Sequence, residues 1–247
     1  MARPGRASSR RTASHSWLCG PGMLWPRRGL VGRCGGARAA PGRHILTAMR
    51  TLYAHPLSGN SHKVRLLLAF LELPYEEITV DLSSGEQHSQ RFMQLNPLGQ
   101  VPVLVDGKVV LRDSLAILVY LARKYGGEVW LPGHPAQAGA IVQWLSLAAN
   151  ELHHGPHLAR LHFLLGVDIN LAAAQEQTRS VLRLLESHLA TRTWLELERP
   201  TVADLACFPY VGLAPEGGVS LAPYPAVRAW IDRVKALPNY PAMPGLA

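Results

Sequence analysis

Hydrophobic residues follow two kinds of spacing in the part of the chain that begins at residue 50. Up to about residue 131, short strand-like runs alternate with runs of helical spacing, whereas from about residue 135 only helical spacing recurs. The predicted elements of the first stretch are strands over 50–54 and 75–80, a helix over 61–72 between them, a short helix over 88–95, strands over 101–105 and 108–111, and a helix over 113–125.

Turn residues indicate how these elements connect. Pro74 ends the first helix, which therefore forms a crossover between two parallel strands. Asp106-Gly107 is a strong signal for a two-residue hairpin turn, so the last two strands are expected to be antiparallel. The order βαβ, short helix, ββα predicts an α/β domain over residues 50–131.

The second stretch predicts an all-helical domain over residues 135–240, after a linker rich in Pro and Gly. Its predicted helices cover 137–152, 171–190, 201–211 and 226–236.

Positive charge is concentrated at the N-terminal end. Residues 1–50 contain ten Arg and no Asp or Glu, so this segment accounts for the net charge of +8 and the remainder is slightly acidic. A nucleic-acid-binding function inferred from the total charge would therefore depend entirely on this segment.

Residues 1–49 lack a periodic apolar pattern and are rich in Arg, Ser, Gly and Pro, which predicts a disordered leader. Three interpretations stay open: sequence upstream of a true start at Met49, an organelle transit peptide, or a functional basic tail. No apolar run suits a secretory signal or a membrane span. Cys207 is the one cysteine after residue 50, which favours a reducing compartment. We expect the cytoplasm, or the mitochondrion if the leader is a transit peptide.

Three motifs carry candidate chemistry, and the first is the turn over residues 55–63. It joins a strand to a helix N-terminus, where backbone N–H groups and the helix dipole favour an anion. Side-chain donors from Ser58 or Asn60 would hydrogen-bond a thiolate and lower the pKa of the thiol. Taken alone, the same residues also suit a plain helix cap.

The second and third motifs are Asn96 to Leu104 and Arg112-Asp113-Ser114. If the bond before Pro102 is cis, Val101 presents its N–H and C=O to an extended peptide. Asp113 suits an ammonium group and Ser114 a carboxylate, although both are also ordinary N-cap residues. Together, the three motifs fit a small thiol peptide with an α-amino acid group, and glutathione is such a molecule.

These motifs, in this order and spacing, resemble the N-terminal domain of the glutathione S-transferase family. Residues 200–206 resemble the helix-capping motif of the family's C-terminal domain, which is a folding element. The resemblance covers about residues 50–240. It implies a thioredoxin-like α/β domain of order βαβ-α-ββα, followed by an all-α helical bundle.

The resemblance also assigns site residues. Ser58 matches the serine that hydrogen-bonds the glutathione thiolate in serine-type members, and Asn60 is a second candidate because some bacterial relatives share an Asn there. The glutathione-binding positions are the segment Gln100-Val101-Pro102, the pair Asp113-Ser114, and His88, preferred over the neutral Gln87 for the glycyl carboxylate. Tyr53, within the strand, ranks below Ser58.

The remaining expectations concern the second substrate and the partners. His55, Leu57, Asn150 and His154 are predicted to line the pocket of that substrate. His153, His154 and His157 lack a metal-binding signature, and Gly155-Pro156 is expected to interrupt the helix, so no metal is predicted. Glutathione is the expected co-substrate, and the family resemblance implies a homodimer.

The implied activity is attack of the glutathione sulfur on a hydrophobic electrophile, with no covalent protein nucleophile. Two alternatives stay open: glutathione-dependent reduction of disulfides or peroxides at the same site, which the run from Asn60 to Lys63 favours, and a non-catalytic ligand-binding module.

Overall fold

The computed structural model describes residues 50–247, which lie in one compact unit, and the predicted leader lies outside the described residues. The elements of the first half are β1 (Arg50–Ala54), α1 (Gly59–Phe70), β2 (Tyr75–Thr79), a 3₁₀ turn (Glu86–His88), α2 (Gln90–Leu95), β3 (Val103–Asp106), β4 (Val109–Arg112), α3 (Ser114–Tyr125) and the single turn α4 (Gly127–Trp130).

The four strands form one mixed sheet in the order β2-β1-β3-β4. β1 and β2 run parallel through the α1 crossover, and β3 is antiparallel to both of its neighbours, with Leu52 opposite Leu104. This arrangement is the predicted thioredoxin-like α/β domain. Its predicted elements are confirmed, with boundaries shifted by at most two residues.

The second half consists of helices. They are α5 (Pro135–Ala149), a π-helical turn (His153–His157), α6 (Leu158–Leu165), α7 (Leu171–Leu189), α8 (Val202–Gly212), a 3₁₀ turn (Ala214–Gly217) and α9 (Pro225–Lys235). The capping box predicted at Thr201 and Asp204 starts α8.

Helix α6 and the short α4 were not predicted from the sequence. Gly155-Pro156 indicated a break, and Gly155 does adopt non-helical angles of φ −94° and ψ −106°. Two helical segments therefore meet at a kink at Gly155, the predicted interruption is confirmed, and the chain resumes beyond it as α6.

One hydrophobic core connects the two halves. Leu52 of β1, Leu67 of α1 and Leu118 of α3 belong to the same buried cluster as Phe208 of α8 and Trp230 of α9. Because α1 packs against both α3 and α8, its N-terminal turn is held between the two halves of the molecule.

Candidate active site

A cavity of about 660 Å³ lies where the N-termini of α1 and α3 face the helical half. One wall comes from the turn before α1, the loop before β3 and the start of α3. The other comes from α5, the π-helical turn, α6 and α8. Its lining includes His55, Leu57, Ser58, Asn60, Lys63, Gln87, Gln100, Val101, Asp113, Ser114, Leu115, Ala148, His153, His157, Arg160, Leu161 and Tyr210.

Ser58 is the N-cap of α1. Its Oγ accepts a hydrogen bond of 3.1 Å from the Ser61 backbone N–H, so the cap is formed and the hydroxyl hydrogen remains available to an acceptor in the cleft. The turn is braced from behind, because Arg65 forms a two-bond ion pair with Glu77 and also donates to the His55 carbonyl.

Asn60 and Ser114 link the two helix N-termini that face the cleft. The Ser114 hydroxyl donates to Asn60 Oδ1 over 3.4 Å, which leaves the Asn60 amide N–H groups free to donate elsewhere. Asp113 Oδ1 accepts from the backbone N–H groups of Leu115 and Ala116, so this carboxylate is the predicted helix cap. Asp113 has a φ of 69°, a strained value for a residue with a side chain.

The loop before β3 presents the backbone of Gln100 and Val101. Asn96 shapes it, because its side-chain amide donates to the Gln100 carbonyl over 2.7 Å and its Oδ1 accepts from Leu98 N–H. The Val101–Pro102 peptide bond is cis. Val101 lines the cleft, whereas the buried Pro102 lies outside the lining.

Gln87 and His88 lie opposite to the expectation from the sequence, which placed His88 and not Gln87 at the glycyl carboxylate. Gln87 lines the cleft, and its Oε1 is buried without a hydrogen-bond partner in the described part of the chain. His88 instead lies below Gly99, where a Cβ on that glycine would sit 2.9 Å from the His88 ring. On this geometry Gln87 is the better placed of the two to reach a ligand in the cleft, and the assignment of His88 stays a prediction.

The predicted second-substrate residues separate into two groups. His55 and Leu57 line the cleft, but Asn150 and His154 line another cavity beside α7. His154 Nδ1 lies 2.9 Å from the Asn150 carbonyl. His153 and His157, which lie on either side of the kink at Gly155, line the cleft in place of His154.

Sequence profiles of known families match both halves of the chain. The profile described as "Glutathione S-transferase, N-terminal domain" matches residues 49–123, and that described as "Glutathione S-transferase, C-terminal domain" matches residues 167–238. The chain belongs to the glutathione S-transferase family.

Individual relatives agree with this membership. The chain is 32% identical over 202 residues to the disulfide-bond oxidoreductase YfcG of Escherichia coli, covering 77% of this chain and 92% of the relative. It is 36% identical over 203 residues to glutathione S-transferase 3 of Zea mays, covering 76% and 90%. Among solved structures, a glutathione transferase homolog from Drosophila mojavensis with bound glutathione superposes with a TM-score of 0.71 at 28% identity, covering 78% and 90%.

This glutathione S-transferase family member has polar groups in its cleft that sequence reasoning missed. They are Lys63 of α1, His153 and His157 of the π-helical turn, Arg160 of α6 and Tyr210 of α8. Lys63 stood in the first motif, and His153 and His157 stood in the histidine run that was considered for a metal. Arg160 and Tyr210 lie in helical runs whose spacing indicates packing, so nothing local to them marks a site.

Burial dominates the electrostatics of these groups. It lowers the pKa of His157 to about 3 and that of Lys63 to about 8, and it raises the pKa of the Tyr210 hydroxyl. The pKa of His55 is also lowered, first by burial and then by the nearby Arg65. At neutral pH the imidazoles of this family member's cleft are therefore uncharged.

Neither a metal-binding cluster nor a membrane-spanning helix occurs among residues 50–247. Within residues 50–247, no three His, Cys, Asp or Glu side chains gather closely enough to hold a metal ion. In the same residues, no helix of this family member is both long and apolar enough to cross a bilayer.

Proposed function

We propose that the protein is a glutathione transferase that ionises the thiol of bound glutathione and directs the sulfur onto a hydrophobic electrophile. The observation that carries this proposal is the shared cleft, since groups from three separate segments line it: Ser58 and Asn60, Val101, and Asp113 with Ser114. They were nominated by sequence motifs alone, and they supply donors for a thiolate, a peptide edge and a clamp for an amino acid group.

Each proposed contact with glutathione has a protein group that is available to make it. The hydroxyl hydrogen of Ser58 is free for the thiolate because its oxygen already accepts from Ser61. Asp113 uses Oδ1 to cap α3, so Oδ2 is the oxygen that would pair with the γ-glutamyl ammonium. The Ser114 N–H opens the same helix and would meet the carboxylate. The Gln87 amide takes over the proposed glycyl contact from His88.

The reaction needs no group beyond these. The thiol of glutathione releases its proton to water, and hydrogen bonding to the anion makes this release easier. The sulfur then forms a bond to the electrophilic carbon, and the leaving group departs with the bonding electron pair. The protein contributes orientation and a stabilised thiolate.

Relatives support the same co-substrate. A similar structure holds glutathione, and relatives carry the name glutathione S-transferase. From the family we also propose a homodimer in the cytoplasm.

A second candidate is the glutathione-dependent reduction of disulfides. It is favoured by the similarity to a disulfide-bond oxidoreductase and by Asn60, whose amide donors point from the first turn of α1 beside Ser58. In this reaction the glutathione sulfur attacks one disulfide sulfur, and the other leaves as a thiolate that takes a proton from water. A third candidate, a ligand-binding module, requires glutathione binding without turnover or no binding at all.

Parallel assays would separate these functions. Turnover with a chlorinated nitroaromatic should exceed that with a small mixed disulfide, and the reverse result would favour the reductase. Calorimetric absence of glutathione binding to folded protein would reject both enzyme proposals.

The role of Ser58 has its own test in the ultraviolet absorbance of the bound thiolate. Ser58→Ala should raise the thiol pKa by about one to two units, because a hydrogen bond to a charged group is worth about 1.5–3 kcal/mol. Asn60→Ala should have a smaller effect. If Asn60→Ala has the larger effect, the two residues exchange roles; Ser84→Ala, on the exposed loop after β2, is the control.

A further inference from the structure

A buried ammonium group forms part of the floor of the cleft. Lys63 is 1% exposed, yet it lines the cavity, so the little surface it retains faces this space. Six ion pairs occur among residues 50–247, and Lys63 takes part in none of them. Burying an unpaired charge is unfavourable, so this arrangement calls for a compensating partner.

The surrounding protein supplies only part of that compensation. Lys63 Nζ lies 5.2 Å from the centre of the Tyr210 ring, which is a cation–π contact. Arg160, the other cation of the cleft, already has a carboxylate partner, since it donates to Glu216 over 2.5 Å and also to the Leu57 carbonyl over 2.6 Å. Lys63 is therefore the cleft cation whose charge is not paired with a carboxylate.

The titratable groups around Lys63 do not neutralise it. Asp113 acts on it from the start of α3, but that carboxylate is reserved for the proposed glutathione ammonium. Burial raises the pKa of the Cys207 thiol, which therefore stays uncharged. Burial lowers the pKa values of His153 and His157 on the helical wall, and the positive charge of Lys63 lowers them further.

The two histidines add neutral polar groups to that wall. Their Nδ1 atoms lie 2.9 Å apart, so one must donate and the other accept, which fixes complementary tautomers in the pair. The His157 ring also stacks 4.5 Å from Tyr210. The rest of the space is apolar, with Leu115 on one side and Ala148 and Leu161 on the other.

An apolar cavity that ends at an unpaired buried cation fits a ligand with two matching parts. We propose that the second substrate has a hydrophobic body and a carboxylate head, and that the head pairs with the ammonium of Lys63. This inference rests on the proposed glutathione function, because it takes the same cavity as the site where the electrophile meets the sulfur. It makes Lys63 a specificity-determining residue.

Paired glutathione conjugates provide the test, since they occupy both parts of the cleft without needing turnover. We would use S-benzylglutathiones that carry a carboxylate at the ortho, meta or para position, each matched with its neutral carboxamide. Calorimetry at pH 6.5 should show at least tenfold tighter binding of the carboxylate at the best of the three positions. Lys63→Met should reduce that ratio to below twofold, whereas Lys108→Met, in the exposed β3–β4 turn, should leave it unchanged.

A pH series on the unaltered protein gives a second readout that does not depend on a variant folding. Burial lowers the pKa of Lys63 to about 8, so the free ammonium is present at pH 6.5 and largely lost at pH 9.5. The carboxylate preference should therefore fall toward unity over this range. The conjugates carry no free thiol, so ionisation of the sulfur cannot produce this change.

Several results would overturn the inference. Equal affinity for carboxylate and carboxamide at all three positions would overturn it while leaving glutathione binding intact. A preference that survives in Lys63→Met would assign the recognition to another group. A rise of one unit or more in the thiol pKa of glutathione bound to Lys63→Met would mean that the lysine serves the sulfur instead. Failure of every conjugate to bind would remove the glutathione assignment itself.

Discussion

The two walls of the cleft are held by bonds of very different sequence separation. On the α/β wall, Ser58 accepts from Ser61 three residues later, and Asp113 accepts from Leu115 two residues later. On the helical wall, Arg160 reaches a carboxylate 56 residues away and a carbonyl of the opposite wall 103 residues away. The helix caps of the first wall can therefore form from their own short segments, whereas the bond between Asn60 and Ser114 and the contacts of the second wall exist only when the chain has folded.

Replacing Arg160 should have the largest effect on stability, because its bonds hold the helical wall to the α/β wall. Arg160→Met leaves the Leu57 carbonyl and the Glu216 carboxylate without their donor, so we expect a loss of about 3 kcal/mol in the free energy of unfolding. Because Leu57 precedes Ser58, glutathione affinity should fall as well. Denaturant unfolding and calorimetry would measure the two effects.

Arg179→Met is the matched control. Arg179 also pairs with a glutamate, but both side chains of that pair are exposed on α7, so its loss should change stability by less than about 1 kcal/mol. A double-mutant cycle of Arg160→Met with Glu216→Gln should show coupling of at least about 1 kcal/mol. Additive effects would mean that Glu216 does not hold the Arg160 side chain in place.

The next largest expected loss in the free energy of unfolding occurs in acid, at the contact between α1 and α8. His62 of α1 packs against Phe208 of α8, and neither of its ring nitrogens has a hydrogen-bond partner within residues 50–247. Burial lowers its pKa from 6.5 to about 3. Between pH 3 and pH 6.5, His62 is protonated in the unfolded chain but not in the folded chain. The free energy of unfolding therefore keeps its full value above pH 6.5 and falls as the pH decreases.

By pH 5 this histidine alone should cost about 2 kcal/mol of unfolding free energy relative to pH 7. His62→Phe keeps an aromatic ring in place and should flatten the pH dependence by that amount. His134→Gln, at an exposed position before α5, should leave the slope as it is. Unfolding curves at pH 5, 6 and 7 would decide, and an unchanged slope in His62→Phe would contradict the assignment.

Sequence reasoning performed best where the separation of bonded residues is smallest. The strands and helices of the α/β domain, the Asp-Gly hairpin and the caps at Ser58 and Asp113 are local patterns, and the elements were predicted with boundaries within two residues. The predicted thiolate, peptide-edge and amino-acid-clamp segments line one cleft because the junction of β1 and α1 lies beside the start of α3, where the Ser114 hydroxyl donates to Asn60.

The same reasoning failed on the helical wall for a physical reason. His153, His157 and Tyr210 reach the cleft through the kink at Gly155 and the packing of α8. Gly155-Pro156 gives a local signal for the break, but no local signal tells in which direction the chain resumes beyond it. The choice between Gln87 and His88 also lies beyond local patterns, because it depends on which of them lies against Gly99.

Two glycine-to-alanine substitutions compare a tight contact between the walls with an open helix surface. A Cβ on Gly59 would lie 2.9 Å from the Tyr210 ring, whereas a Cβ on Gly139 of α5 would meet nothing within 4 Å. Gly59→Ala should lose about 1.5 kcal/mol through overpacking between the walls. Gly139→Ala should gain about 1 kcal/mol from helix propensity. Thermal unfolding would measure both, and a stabilised Gly59→Ala would show that the walls can move apart freely.

The smallest expected effect concerns which residue of the α/β wall, Gln87 or His88, binds the glycyl carboxylate of glutathione. Gln87→Ala removes the amide that faces the cleft, so glutathione affinity should fall about fivefold, the equivalent of one hydrogen bond. His88→Phe keeps the ring against Gly99 but cannot bind a carboxylate, so the affinity should stay within about twofold. Calorimetry on both variants would compare them. A larger loss in His88→Phe than in Gln87→Ala would restore the histidine as the carboxylate partner, and the loop over residues 86–88 would then have to rotate when glutathione binds.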